Sequence, residues 1–417
     1  MNQKLSLALY SVAIGLMLTG LKGYVNYISF VLILFAITLN YFGNKGVRKK
    51  NKSVKCFIIF IAYYLLTSLI HLDVAYCATY TSYYIMSFSG IFFAQSLIES
   101  GKREEIKKWL AIALILWFAI AIQSIRFYIN DPGAARRIAV NREDYANSIF
   151  GGYQLAFGCA ILLVYLLYYF KSLNLKGKIA LFAAEAILFA NIYLTESSLT
   201  TFATVLGIIG FAFFHKTTGD KSIRASNILP FILFTIISCT LYYLIQIYSY
   251  DISIYLEENK DLVISRRLTE IINRTYYDEA SDHYSVRVDT LTYSMKMFFT
   301  SPLIGHGYKY GYVFYKGTEY GIGNHSGFLD ALAVYGLMGA IPLFGVYFYA
   351  MKEYLSRNIP LIVTFSILVI FNPFLSFQSN LPVFYLIPLF EYLKNTNPNL
   401  NNVAEEKNAI PLPNNPA

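Results

Sequence analysis

His325 stands in the stretch GNHSGFLDALAVYG (323–336), at the mouth of an apolar run that continues LMGAIPLFGVYFYA, and Arg287 opens the segment RVDTLTYSMKMFFT (287–300). An imidazole with an unperturbed pKa of about 6.5 can take a proton from a hydroxyl near neutral pH, a contribution of roughly 10²–10⁴-fold in rate. A guanidinium keeps its charge at any working pH, and its planar fork donates paired hydrogen bonds to phosphate. More arginines stand nearby: Arg266, Arg267 and Arg274 lie upstream of Arg287, and Arg136, Arg137 and Arg142 fall within FYINDPGAARRIAVNREDYANSIFGG (127–152). Tyr308, in GHGYKYG, is one of many tyrosines around these positions. Aromatic faces stack on sugar rings and hydroxyls bond their edges, although tyrosine is also enriched at membrane surfaces for solvation alone. Asp330 follows His325 by five residues, which on a helix is a turn of about 140°, so the two share no face and a local His/Asp couple is not expected. Asn324 or Ser326 can cap the helix that begins here.

The elements that position these groups are membrane helices. Of the 417 residues 56% are hydrophobic and only 14% charged, and apolar stretches recur with no polar face at helical or strand period. The fold class is therefore all-α and polytopic. Windows of about 20 residues place roughly twelve spans: 4–20, 24–43, 56–71, 79–98, 109–126, 153–170, 179–194, 198–214, 226–247, 328–350, 359–377 and 380–393, the last pair split by SFQSN. A large outer loop separates the ninth from the tenth. The domain plan is nine helices over 1–247, the outer loop over 248–327, three helices over 328–394, and an Asn- and Pro-rich cytoplasmic tail, expected to be disordered, over 395–417.

Lys and Arg in short loops set the orientation. NKGVRKKNKSVK (44–55), SGKREEIKK (100–108), KSLNLKGK (171–178), HKTTGDKSIR (215–224) and MKEYLSRN (351–358) are all basic, whereas LDVAYCAT (72–79) and LTESS (194–198) carry no Lys or Arg. Both termini are thus expected inside, and the net charge of +9 is a topology signal rather than a nucleic-acid footprint. Arg136, Arg137 and Arg142 sit on the disfavoured outer side, where binding an anion would explain them. The long outer loop translocates regardless of charge. Within it, Val288, Leu291, Met295, Phe298 and Phe299 recur at helical spacing and predict an amphipathic helix over 286–300, stopped by Ser301 and Pro302.

The remaining titratable groups read more plainly. His71 sits at a helix end and His215 faces the cytoplasm, while His283 and His306 share the outer loop with His325. Cys56, Cys77, Cys159 and Cys239 have no pair at metal-ligand spacing and read as small core residues. Glu196, in the LTESS turn, reads as structural. Glu185, inside an expected span, should face the bundle and either pair or stay protonated. No cleaved signal peptide is expected, because the first apolar run leads straight into a second.

The order SVRVDTLTYSMKMFFTSPLIGHGY then NHSGFLDALAVYGLMG resembles the O-antigen polymerase and ligase superfamily of bacterial cell-surface polysaccharide assembly. The shared skeleton is Arg287 opening an amphipathic helix, Pro302-x-x-Gly305-x-Gly307, His325 at the helix lip, and Gly336 with Gly339 beyond. That resemblance implies transfer of a glycan from undecaprenyl diphosphate to a sugar hydroxyl on the outer face of the inner membrane, inverting the anomeric centre, with no metal and no cofactor. Carried over, Arg287 grips diphosphate and His325 is the base. Arg136, Arg137, Arg142, Arg266, Arg267 and Tyr308 are the candidates for holding diphosphate or glycan. Family members often carry Ser-Arg after the seventh helix, and here Ser198 is followed by Leu199, so other arginines must complete the clamp. NHSGFLDALAVYG and FNPFLSFQSNLPVFYLIPLF look more like polymerases than ligases. The implied partners are the lipid-linked glycan, the bilayer, and the flippase and chain-length regulator of the same pathway.

Three alternatives stay in view. A ligase would transfer the same glycan to the lipid A core; a flippase or transporter would share the helix count, but the bulk between the ninth and tenth helices leaves no two-half symmetry. A metal-dependent membrane glycosyltransferase would need an acidic pair in an early outer loop, and no Asp-x-Asp occurs. With the native cysteines replaced, single cysteines introduced in 44–55 or 100–108 should react with a membrane-impermeant maleimide only after the inner membrane is permeabilised. Those in 72–79, or beside Arg287 and His325, should react before it. The reverse pattern would overturn the orientation.

Overall fold

The computed structural model describes residues 2–18, 24–43, 51–70, 74–131, 152–167, 175–195, 197–214, 254–255, 258, 291–307, 312–315, 318–321, 326–355, 358–371 and 376–396. The expected ninth span, 226–247, lies outside these residues, as does most of the expected outer loop, and with them Cys239, His71, His215, His283, Glu196 and Asn324. The described helices are α1 (Asn2–Leu18), α2 (Tyr24–Gly43), α3 (Lys52–Ile70), α4 (Val74–Phe88), α5 (Gly90–Ser100), α6 (Arg103–Asn130), α7 (Gly152–Leu167), α8 (Leu175–Leu194) and α9 (Ser198–Phe214). After them come α10 (291–300), a hairpin of β1 (Tyr312–Tyr315) and β2 (Thr318–Gly321), α11 (Leu329–Leu355) and α12 (Ile359–Phe371). The last, α13, is built from Phe377–Leu381, a π-helical turn Pro382–Leu386 and Ile387–Asn395.

The pattern of burial shows which solvent these helices were built for. Helix α3 buries Ser53, Phe57, Phe60, Tyr64, Thr67 and Ser68 and exposes Ile58, Ile59, Leu65, Leu66, Leu69 and Ile70. A water-soluble helix would do the opposite; hydroxyls inside and branched aliphatics outside suit a hydrocarbon surround. Four described helices, Lys52–Ile70, Arg103–Asn130, Leu175–Leu194 and Leu329–Lys352, are long and apolar enough to cross a membrane, and five shorter apolar helices accompany them.

Lipid offers no driving force for joining apolar faces, so close packing and hydrogen bonds hold the bundle together. Ser6 donates to the Ala36 carbonyl at 2.8 Å, Ser53 to Val346 at 2.8 Å and Thr364 to Ala203 at 3.1 Å, tying α1 to α2, α3 to α11 and α12 to α9. Small residues admit the neighbours. Gly158 of α7 lies against Trp117 and the Gln378 carbonyl, where a Cβ would overlap both.

Several expectations change in detail. The span over 79–98 is two helices meeting at Ser89, whose hydroxyl donates to the Met86 carbonyl at 2.7 Å, while Gly90 lets the Phe384 backbone and the Tyr385 Cβ approach. SFQSN is not a break between the last two spans but the start of the second. Ser376, in extended conformation, accepts from the Ser379 N–H and so caps α13, and Phe377 to Asn380 form its buried first turn. The π turn opens at Pro382 and is followed by Pro388, which cannot donate to Phe384; Ile387 N instead bonds Pro382 O. The all-α expectation also yields locally, because Tyr312 pairs with Gly321 and Tyr315 with Thr318 in an antiparallel ladder that the aromatic-rich sequence did not suggest.

Glu185 falls in the stripe Leu181, Glu185, Leu188, Ile192, of which the three apolar members are buried. Its Oε1 is buried and has no hydrogen-bond partner among the described residues. Overpacking at Gly158 is the sharpest test of the bundle: Gly158→Ala should cost about 1–3 kcal/mol, lowering Tm in detergent. Gly15→Ala, whose Cβ would meet only the Leu116 side chain at 3.7 Å, should leave Tm unchanged.

Candidate active site

Helix α11 is interrupted at Gly336, where φ is 59° and ψ −173°. Its expected continuity over 328–350 fails here for a backbone reason. In an unbroken helix Leu337 N would donate to Ala333 O, and Met338 N to Val334 O. Instead Leu337 N donates to Pro302 O at 2.8 Å and Met338 N to Leu303 O at 3.1 Å, while Ala333 O accepts from His306 N at 3.0 Å and Val334 O from Gly307 N at 2.9 Å. The segment 302–307 thus replaces both lost bonds by supplying the four partners that the break leaves over. Exposed to hydrocarbon, each unpartnered group would cost several kcal/mol.

This docking explains Pro302-x-x-Gly305-x-Gly307. Gly305 has φ 77° and Gly307 φ 68°, a region that side chains with a Cβ rarely enter. A Cβ on Gly305 would overlap Gly336 N and Val334 O, and one on Gly336 would overlap Leu303 O. From α3, the Tyr63 hydroxyl lies 2.7 Å from the Ile304 carbonyl and 3.0 Å from the Tyr335 carbonyl, spanning strap and break, and the Tyr63 ring fills the space left by Gly339.

Helix α10 leads into this strap. It ends as expected at Ser301, and His306 Nε2, 3.0 Å from Met297 O and 2.8 Å from Thr300 Oγ1, closes its C-terminus. His306 is therefore structural. The face that packs on the bundle is Tyr293, Ser294, Met297 and Phe298. Met295 and Phe299, assigned to that face from spacing, are 40% and 70% exposed. The outside of a membrane bundle accepts apolar side chains, so periodicity alone cannot tell the two faces apart.

Asp330 is the second junction between α10 and α11. Its carboxylate is buried; Oδ1 accepts from Ser294 Oγ at 2.7 Å and Oδ2 from Ser326 N at 2.7 Å. Ser326 caps α11, its hydroxyl taking the Leu329 N–H at 3.0 Å and donating to Ile370 O of α12 at 2.5 Å. A negative group in the first turn is favoured by the helix dipole, and bonds to a charged acceptor are the shorter, stronger kind.

The two junctions fix a direction. Ser294 meets Asp330 and Pro302 meets Leu337, about 12 Å and about 10 Å further along at roughly 1.5 Å per residue, so α10 and the start of α11 run side by side and parallel. Their N-termini lie together. Arg287 precedes Leu291 by four residues in the sequence and His325 immediately precedes Ser326. Arg287, His325, Arg136, Arg137, Arg142, Arg266, Arg267 and Tyr308 all lie outside the described residues. Among the described residues no three His, Cys, Asp or Glu side chains gather closely enough to hold a metal ion.

Residues 183–344 match the family described as O-antigen ligase. That region, under half of the chain, is similar to the O-antigen polymerase and ligase superfamily. The matched region starts within α8 and ends in α11, taking in α10, the strap, Asp330 and the break at Gly336. It supports a membrane enzyme of the O-antigen ligase or polymerase type and gives no support to a flippase. No curated protein matches the chain.

Sequence reasoning picked out the glycines of the matched region but not Asp330 or Tyr63. Asp330 was weighed only against His325, and it stands four residues after the capping serine, one position beyond the place of a capping-box carboxylate. Tyr63 gave no signal, because its two carbonyl partners lie far along the chain. Gly336→Ala and Gly305→Ala should each cost about 1–3 kcal/mol in backbone strain alone, lowering Tm in detergent and abolishing product. A Gly336→Ala variant with unchanged Tm would show that the strap does not hold the break.

Proposed function

We propose that the protein polymerises oligosaccharide repeat units carried on undecaprenyl diphosphate into a cell-surface polysaccharide, working on the outer face of the bacterial inner membrane. The observation that carries this reading is the parallel pairing of α10 with α11. Through it the described starts of α10 and α11, four residues after Arg287 in the sequence and next to Ser326, lie together inside a region matching the O-antigen ligase family.

The chemistry is an inverting glycosyl transfer. The oxygen of an acceptor sugar hydroxyl attacks the anomeric carbon of the donor, the carbon–oxygen bond to the lipid diphosphate breaks, and the hydroxyl proton passes to His325. Negative charge grows on the departing diphosphate, and guanidinium groups aimed at it favour the transition state over the ground state. Arg287 supplies the first such group, completed from Arg136, Arg137, Arg142, Arg266 and Arg267; Tyr308 offers an aromatic face to the glycan. The donor reaches this face through a flippase, and a chain-length regulator is a further partner.

The family's description favours a second reading, transfer of the finished glycan to the lipid A core, which uses the same residues on a different acceptor. A strain lacking the gene separates the two. Single repeat units on the acceptor mean polymerase, and lipid-linked polymer that is never attached means ligase. In the complemented strain, Arg287→Ala and His325→Ala should each remove the product while the protein still inserts, seen by gel electrophoresis of the glycan beside immunoblots of membranes. Normal product from both variants would reject the assignment.

A further inference from the structure

We propose that Asp330 is a positioning residue of the transfer reaction, holding the N–H of Ser326, the residue after His325, in register with helix α10; this rests on the reading of His325 and Arg287 given above.

Capping alone does not account for this carboxylate. The start of α11 is already served: Leu329 N goes to Ser326 Oγ, Asp330 N to Ser326 O and Leu332 N to Phe328 O. An aspartate that only capped a helix could keep its second oxygen in solvent. Asp330 is 5% exposed and commits that oxygen to Ser294, a side chain on another helix. Removing a carboxylate from water is costly, and the cost is offset where its oxygens take short hydrogen bonds from fixed donors. Both bonds here are 2.7 Å.

The donors decide what the bridge does. Ser326 directly follows His325 in the sequence, so Oδ2 anchors the N–H of the residue next to the base. Ser294 lies seven residues after Arg287 in the sequence, so Oδ1 anchors α10 itself, the helix that follows the clamp residue. The strap at Gly336 secures the opposite end of the same pair. With one end pinned by four backbone bonds, α10 could still swing at its N-terminus; Asp330 removes that freedom. A base and an anion clamp acting on one substrate need such control, because a displacement of about 1 Å can cost on the order of 100-fold in rate.

The bridge makes a distinction between asparagine and alanine. In Asp330→Asn the side-chain oxygen can accept from Ser326 N while the amide nitrogen donates to Ser294 Oγ, whose hydroxyl reverses its role. Asp330→Ala loses both bonds and Ser294→Ala loses one. The test uses the full-length protein in detergent or nanodiscs with lipid-diphosphate-linked repeat units from a strain lacking the gene, measuring kcat, KM and Tm. Asp330→Asn should stay within about threefold of wild type in kcat, and Asp330→Ala should fall by about 10- to 100-fold with KM within about twofold. Ser294→Ala should fall less, and the double variant should fall no further than Asp330→Ala, because the two residues form one bridge.

Wild-type kcat in both Ser294→Ala and Asp330→Ala overturns the proposal, as does an Asp330→Asn variant as inactive as Asp330→Ala, which would mean that the charge itself takes part. If Asp330→Ala does not fold, Ser294→Ala and Asp330→Asn decide between these outcomes. Activity that survives His325→Ala in the same assay refutes the site reading instead. Activity lost in His325→Ala but unchanged in the Asp330 and Ser294 variants refutes the positioning role alone.

Discussion

Inside a bilayer a peptide group has no water to fall back on, and the structure around Gly336 is organised by that constraint. Breaking a helix there releases two N–H groups and two carbonyls at once. The strap 302–307 meets all four, through a strip of backbone so close to the break that neither Gly305 nor Gly336 has room for a side chain. Everything described on either side follows from this docking: α10 must approach α11 closely enough to deliver the strap, and α3 must bring Tyr63 to bridge the Ile304 and Tyr335 carbonyls.

A single attachment would leave α10 free to pivot, and the buried Asp330 carboxylate provides the second. Two attachment points a little over two helical turns apart define an axis, so the two helices are held in one relative direction. The surrounding bundle supports this arrangement in the manner of membrane proteins. Hydroxyls of Ser53 and Ser326 reach carbonyls of neighbouring helices, tying α3 to α11 and α11 to α12, while leucines and isoleucines face outward. The assembly is therefore specified less by apolar burial than by where backbone carbonyls find donors.

Much of this was legible in residue types. The apolar runs announced a membrane chain, Ser326 announced a helix start, Ser301 and Pro302 announced a stop, and the glycines of the strap stood in recognisable order. The break was not legible. Gly336, Gly339 and Gly345 lie in one apolar run with Pro342 between them, and local propensity points to the proline as the place to interrupt a helix. Yet only Gly336 leaves helical geometry. The strap selects it, from more than thirty residues earlier in the chain. The buried face of α10 was misjudged for a related reason, since Met295 and Phe299 suit the outside of this bundle as well as its inside.

By itself, then, the sequence determined the solvent, the order of the elements and the chemical character of the side chains that precede α10 and α11, because hydrophobicity, charge bias and turn chemistry are properties of short stretches. Tertiary structure alone decided that Ser294 meets Asp330, that Tyr63 meets Ile304, and that the helix parts at Gly336. Each of these is a choice of hydrogen-bond partner across a long separation in the chain. Where water cannot compete, such a choice is settled by which donors and acceptors packing brings together, and no local pattern records it.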